Sequence, residues 1–459
     1  MRTTASAYPR SRHIRGNNFI HQALSARKGF LAYLPLILAL GALLTVAMTE
    51  AYFGNLDVVE YQCYARAFWY GAEPAQSVSA SACQFIPQIS QYHTLPREYP
   101  PLALIVFSLP LLVPVVGYPL MFALVMAATT ALIYWLLLKH GVSGAANVFA
   151  VCLVAGCMGT GLSRFDMVPA GLCLLCIILA EHKHWGLAYA VLAAGILIKI
   201  YPIVIFPILF LAEQRQQAGS FFPYQSIRLK TAGSDLLQTF RNIRSWRWKN
   251  ALMFSGLVLG VTIFFGALSS NGVFNWISYL FQRPFEVGST GSSLLWLTSL
   301  AGVAVTWKTT YGSMNTFSPI ESTVAIVFGF MFWMGYIIII IRQSQGKLKL
   351  VEACIAALLV MIANSKVFSP QYLLWLIPLL AYRATNNRRL WLIWGGIFIL
   401  TSLIYPVYYG FLSIINDPAR VPGFLPVILL RDGLFILLTL AYLFDFLKLR
   451  EPHPRLIPK

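Results

Sequence analysis

The chain alternates long apolar runs with short polar breaks. A helix that crosses a bilayer needs about 20 mostly apolar residues. Runs of that kind, or somewhat shorter, predict spans at 31–49, 118–138, 145–162, 167–181, 186–199, 200–212, 250–270, 320–341, 351–365, 371–382, 390–409 and 430–447. Strands of a membrane barrel would read as short alternating segments, and these runs do not alternate. The pattern predicts an all-α polytopic membrane protein, a bundle of about 11 to 13 transmembrane helices. Two stretches interrupt it. Residues 51–117 read as a first outer loop with interfacial helices. Within it, 58–70 (VVEYQCYARAFWY) is an aromatic-rich interfacial helix, and 100–116, broken by Pro110 and Pro114, only dips into the membrane. Residues 213–249 read as a basic loop. The domain layout is a basic tail at 1–30, one transmembrane domain at 31–447 and a second tail at 448–459.

Composition excludes a soluble globule. Of 459 residues, 58% are hydrophobic and 11% charged, against roughly 25% charged in an ordinary soluble domain. The net charge of +18 would suggest nucleic acid in a soluble protein. Here it is a topological signal, because Lys and Arg stay on the cytoplasmic side. They collect at 1–30, 213–249, 342–349, 383–389 and beyond 448. Both termini are therefore expected inside, in a plasma membrane, with the first apolar run retained as a helix. On the opposite face acids slightly outnumber bases. The seven cysteines form no zinc pattern. Cys173 and Cys176 fall inside an apolar run and read as packing residues. Cys63 and Cys83 share the outer loop, where a disulfide is chemically permitted; their pairing stays open.

Ionisable groups at membrane depth or its outer edge mark function by default. Asp57 follows the first helix, with Glu60 one turn on. It reads either as a helix cap or as a general base that takes a proton from an acceptor hydroxyl. Arg97-Glu98-Tyr99-Pro100-Pro101 is a Pro-stiffened re-entry into the bilayer or a hydroxyl-binding group. Arg164-Phe165-Asp166 is an interfacial ion pair or part of a site. Lys199, in Lys199-Ile200-Tyr201-Pro202, is the single charge between Trp185 and Phe210. At a hairpin tip it either snorkels or binds a lipid-linked phosphate. Arg283 and Glu286 share one outer segment; Lys366 and Gln371 share another (NSKVFSPQYLLW). No HExxH, DxD, Walker loop or nucleotide-binding Gly motif occurs. Neither a bound metal, a cofactor nor a nucleotide-sugar donor is expected.

The order of an acid after the first helix, EYPPLA, RFDMVPA, IKIYP, QRPFEVGS and NSKVFSPQYLLWLIP resembles the membrane-embedded GT-C glycosyltransferases, and within them family 87, which is similar to polyprenol-phosphate-mannose-dependent α-mannosyltransferases. The resemblance implies an inverting transfer of one sugar, mannose in that family. The sugar passes from a polyprenyl-phosphate donor to a glycolipid or glycan at the outer face. It implies Asp57 as the base. Lys199, Lys366 and Arg283 are then expected at the donor phosphate. Glu60, Glu98, Tyr99, Arg164, Asp166, Tyr201, Glu286 and Gln371 are expected at the sugar and acceptor. The implied partners are the lipid-linked donor, the acceptor and membrane lipids, not nucleic acid. Some members of the family carry a His before the Arg-Pro; here the residues are Tyr279-Leu280-Phe281. A flippase of lipid-linked oligosaccharides and an O-antigen-ligase-like transferase are the alternatives.

Overall fold

A computed structural model describes residues 16–52, 56–79, 83, 86, 93–217, 246–269, 273–415 and 417–446. Most of the basic loop at 213–249, half of the tail at 1–30 and all of the tail at 448–459 lie outside the described residues.

The fold is all-α and polytopic. Among the described residues, six helices are long and apolar enough to cross a membrane: Leu31–Tyr52, Val115–His140, Lys249–Leu268, Glu321–Ser344, Arg388–Ile415 and Phe424–Phe444. Shorter apolar helices fill the space among them. We label α1 (Gly16–Tyr52), α2 (Leu56–Tyr70), α3 (Ala72–Gln76), α4 (Ala103–Ser108), α5 (Tyr118–His140), α6 (Ala145–Cys157), α7 (Met167–Glu181), α8 (Trp185–Ile198), α9 (Phe206–Gln217), α10 (Lys249–Leu268), α11 (Asn275–Gln282) and α12 (Thr290–Ser299). There follow α13 (Glu321–Ser344), α14 (Leu350–Ala363), α15 (Leu373–Tyr382), α16 (Arg388–Ser402), α17 (Tyr409–Ile415) and α18 (Phe424–Phe444).

Hydrophobicity sorts these helices into two populations. In α14 and α15 nearly every residue is apolar, and nearly every residue is buried. A helix that is apolar all round belongs in the interior. The long helices α1, α10 and α13 instead turn Leu38, Phe264 and Ile326 outward. In water such exposure would be costly; in lipid it is the ordinary outer surface. The interior helices are shorter than a bilayer is thick, so their ends leave room for loops to fold back between the long spans.

Three departures from the sequence reading concern the elements themselves. First, residues 285–317 contain a small antiparallel sheet of order β1-β3-β2, with β1 at Phe285–Glu286, β2 at Thr306–Thr310 and β3 at Ser313–Phe317. Tyr311 and Gly312, both at positive φ (51° and 68°), make the two-residue turn that matches strand twist. Second, α18 begins at Phe424, not near 430. Arg431 and Asp432 lie inside the helix, where they neutralise each other within protein and so need not mark a water boundary. Third, α2 is not simply an interfacial helix: Val58, Tyr61, Tyr64, Ala65 and Phe68 are buried. Gly71, at φ 92°, turns the chain after α2, and Cys63 is disulfide-bonded to Cys83, which closes the pairing that the sequence left open.

Candidate active site

Acids and cations from distant segments meet at the end of the bundle where α1 finishes and α7 starts. Asp57 stands in the first turn of α2. Its carboxylate is ion-paired with Arg164, from the α6–α7 connection; the side chains are 31% and 11% exposed. Tyr405 hydrogen-bonds Arg164 and also Glu50, at the end of α1. Two residues on, Asp166 is fully buried. Its Oδ1 accepts from Lys199 Nζ at 2.7 Å and from Trp375 Nε1 at 2.6 Å. Lys199 reaches it because the backbone leaves α8 in an extended conformation there (φ −151°, ψ 133°). The ammonium also lies 4.7 Å from the Phe165 ring centre, 5.5 Å from Trp375 and 5.9 Å from Tyr99. One carboxylate and three π faces thus compensate a cation held largely out of water. Tyr201 and Tyr372 stack on Trp375 at 4.0 and 3.8 Å and fix the indole.

A pair of carboxylic acids lies beside this cluster. Burial, and then the neighbouring Glu98, push Glu60 up from 4.5 to about 7. Burial also raises Glu98, against the pull of Tyr279, Arg283, Tyr99 and Lys199. The Tyr279 hydroxyl lies within reach of two acceptors, the Tyr311 carbonyl at 3.1 Å and the Glu98 carboxylate, and its bond to Glu98 favours the ionised acid. Tyr61 is buried beside the pair. Its ring stacks on Phe107 at 4.5 Å and meets Phe165 and Tyr99 edge-on.

Across from these acids stand the 283–289 and 364–371 segments. Arg283 feels Tyr279, Tyr372, Glu286 and Glu98 and donates to Ser313 Oγ at 2.8 Å. Lys366 is half-buried and donates to the Phe281 carbonyl at the end of α11 (3.0 Å). Gln371 accepts from Ser369 Oγ at 2.5 Å. Glu286 was expected among sugar hydroxyls, yet it is 2% exposed. Its oxygens accept from Tyr409 at 2.6 Å and from the Phe368 amide at 3.1 Å, while its own amide donates to the Lys366 carbonyl at 2.8 Å. It clamps two segments together instead of facing a ligand.

Beneath that clamp lies a buried ion pair absent from the sequence reading. Arg431 donates to Asp432 Oδ1 at 2.9 Å and to the Gly288 carbonyl, and covers the Phe368 ring at 3.9 Å. Ser293 donates to Asp432 Oδ2 at 2.6 Å. Adjacent opposite charges in an apolar helix were the signal for it; starting the span at 430 hid that signal.

Asp57, Glu60, Glu98, Tyr99, Arg164, Asp166, Lys199 and Tyr201 therefore form one cluster, and Arg283 joins it through Glu98. Lys366 and Gln371 stand on the 364–371 segment, bonded to Phe281 and Ser369 respectively. Two cavities flank α2, and the first meets the cluster through Tyr279. One, of about 310 Å3, is lined by Tyr64, Thr94, Arg97, Asn275, Tyr279 and Tyr311 among others. The second, of about 410 Å3, is apolar and lies between α2, α4 and α10, with Phe68, Trp69, Leu104 and Phe264 in its walls. Among the described residues no three His, Cys, Asp or Glu side chains converge as metal ligands.

Residues 98–227 match the family model of glycosyltransferase family 87. The matched segment begins at Glu98 and includes Arg164, Asp166, Lys199 and Tyr201. No individual curated protein matches the chain. The family match supports a membrane glycosyltransferase, similar to family 87 over the segment that supplies six of the eight clustered residues.

Proposed function

We propose that the protein transfers one hexose, mannose by the family resemblance, from a polyprenyl-phosphate donor to a glycolipid or glycan acceptor at the outer face of the membrane. The observation that carries this reading is the meeting of Asp57–Arg164, Asp166–Lys199, Glu60–Glu98 and Arg283 at one end of the bundle, in a fold that also holds an apolar groove between α2, α4 and α10. A lipid phosphate needs cations at its head and apolar walls for its chain. Nothing about such a cluster suits simple packing, since buried ion pairs contribute little net stability. The Cys63–Cys83 bond in the first loop supports an oxidising outer compartment.

In the proposed reaction the acceptor oxygen attacks the anomeric carbon as the bond from that carbon to the phosphate oxygen breaks. The acceptor proton passes to Asp57, and polyprenyl phosphate leaves. Arg164 holds the Asp57 carboxylate in place and ionised. Lys199 uses one N–H on Asp166 and keeps two others; with Arg283 and Lys366 it stabilises charge developing on the phosphate, where preorganised cations act most strongly. Glu60, Glu98 and Tyr99 hold sugar hydroxyls. Glu286 and Gln371 brace the 283–289 and 364–371 segments.

A second assignment of the base is favoured by one observation. Glu60, near 7, is better matched to a proton acceptor at neutral pH than a carboxylate locked in an ion pair. The test is Asp57→Asn and Glu60→Gln in proteoliposomes supplied with polyprenyl-phosphate mannose. Loss of turnover of about a hundredfold or more in the first, with the second retaining most of it, supports Asp57. The reverse order gives the role to Glu60.

A further inference from the structure

We infer that the cavity between the first loop and α11 is a subsite for the carbohydrate head of a membrane-anchored acceptor, with α11 lying in the membrane surface as its outer wall. The inference rests on the transferase reading above and names where its acceptor sits. In α11 the polar residues Asn275, Ser278, Tyr279 and Gln282 recur at the spacing that places them on one helix face. All four line the 310 Å3 cavity. The other face carries Ile277, Leu280 and Phe281, and Phe274 precedes it. Phe281 is 77% exposed and Phe274 60%. Large apolar groups so open to the surroundings, opposite a polar stripe, describe a helix seated at the lipid boundary.

What faces the stripe suits a sugar. Tyr64, Tyr279 and Tyr311 offer aromatic surfaces, and the two latter rings meet edge-on at 5.2 Å. Asn275 and Gln282 carry amides that can both donate and accept, Ser278, which donates to the Asn275 carbonyl at 3.0 Å, offers an acceptor oxygen, and Arg97 adds a donor, a set that matches sugar hydroxyls. The cavity also opens onto the chemistry. Tyr279 belongs to its wall and hydrogen-bonds Glu98 of the acid pair, so a sugar held here has its hydroxyls at the edge of the reacting cluster. A lipid tail attached to that sugar runs past the apolar face of α11 into the bilayer.

The test is labelling of the full-length protein in nanodiscs with an octyl mannoside that carries a photoactivatable diazirine. Labelled peptides are mapped by mass spectrometry. The expected result is label within 275–282 or at Tyr311, competed by plain octyl mannoside. It should fall about tenfold or more in the triple variant Asn275→Ala/Ser278→Ala/Gln282→Ala, since each lost hydrogen bond is worth a factor of several. Label that is absent, scattered, or equal in the triple variant overturns the subsite. Transfer from polyprenyl-phosphate mannose is measured in the same nanodiscs. Competed label at α11 without transfer leaves the subsite standing and sinks the donor assignment; transfer without label sinks the subsite alone.

Discussion

Replacing Arg431 by Met tests the buried pair that underlies the 283–289 and 364–371 segments. Arg431 is wholly buried and Asp432 nearly so. Removing the guanidinium strips Asp432 of its counter-charge and leaves only Ser293 at 2.6 Å. It also takes the recorded donor from the Gly288 carbonyl and the cation from the Phe368 ring. Breaking a buried pair from one side costs about 3–5 kcal/mol, because one charge remains in a low-dielectric interior. Removing both charges, as Arg431→Met/Asp432→Leu, avoids that cost. The residual loss is then about 1–3 kcal/mol for the carbonyl left without its donor. The assay is reversible unfolding in mixed micelles, by tryptophan fluorescence against the mole fraction of SDS. The double variant is expected to be more stable than the single one. A single variant within about 1 kcal/mol of the parent, or a double variant no better than the single, would refute the electrostatic account.

Other outcomes follow from the same geometry. With Asp57 as the base, kcat/KM at pH 6 and pH 8 should agree within about twofold, in the parent and in Glu60→Gln; a tenfold fall per pH unit below about 7 that vanishes in Glu60→Gln would transfer the role. Because Glu60 is raised in the folded state to about 7, the fold binds more protons than the unfolded chain between about 4.5 and 7. Its contribution to stability is present below the lower value and is lost as pH rises through the upper one, so the pH dependence of unfolding should flatten in Glu60→Gln. Cys63→Ser/Cys83→Ser opens a link spanning 20 residues and should cost about 3 kcal/mol, an effect that reductant reproduces in the parent and does not add to in the variant. A Cβ at Gly291 would collide with the Phe285 ring, so Gly291→Ala should cost about 1–3 kcal/mol; unchanged unfolding would show that Phe285 moves freely.

The sequence made some features visible for plain physical reasons. Apolar runs have one stable fate in a bilayer, so the helical class and most spans were readable. Charges are sparse enough in this chain that Lys199 and Asp166 stood out individually. Their partnership was not legible, because it joins the end of α8 to the start of α7 across 33 residues. Trp375 was invisible as a ligand of Asp166, since an indole in an apolar run reads as packing. The partners of Glu286 were hidden for the opposite reason. A carboxylate beside Arg-Pro in a polar loop looks solvent-facing, and only the fold reveals Tyr409 and the Phe368 amide closing on it. The hairpin at 306–317 carried its Tyr-Gly turn openly, but in a chain of long helical runs a strand pair of five residues each was easily absorbed into loop.

The central claim is that a lipid-linked sugar, not a nucleotide sugar, is the donor. Purified protein in proteoliposomes should be given isotopically labelled mannose either as polyprenyl-phosphate mannose or as a nucleoside-diphosphate mannose, with a mannolipid acceptor, and the product weighed by mass spectrometry. The account predicts a single added labelled hexose from the polyprenyl-phosphate donor and none from the nucleotide. Transfer from the nucleotide sugar alone, or passage of the lipid across the bilayer with no new glycosidic bond, would contradict it.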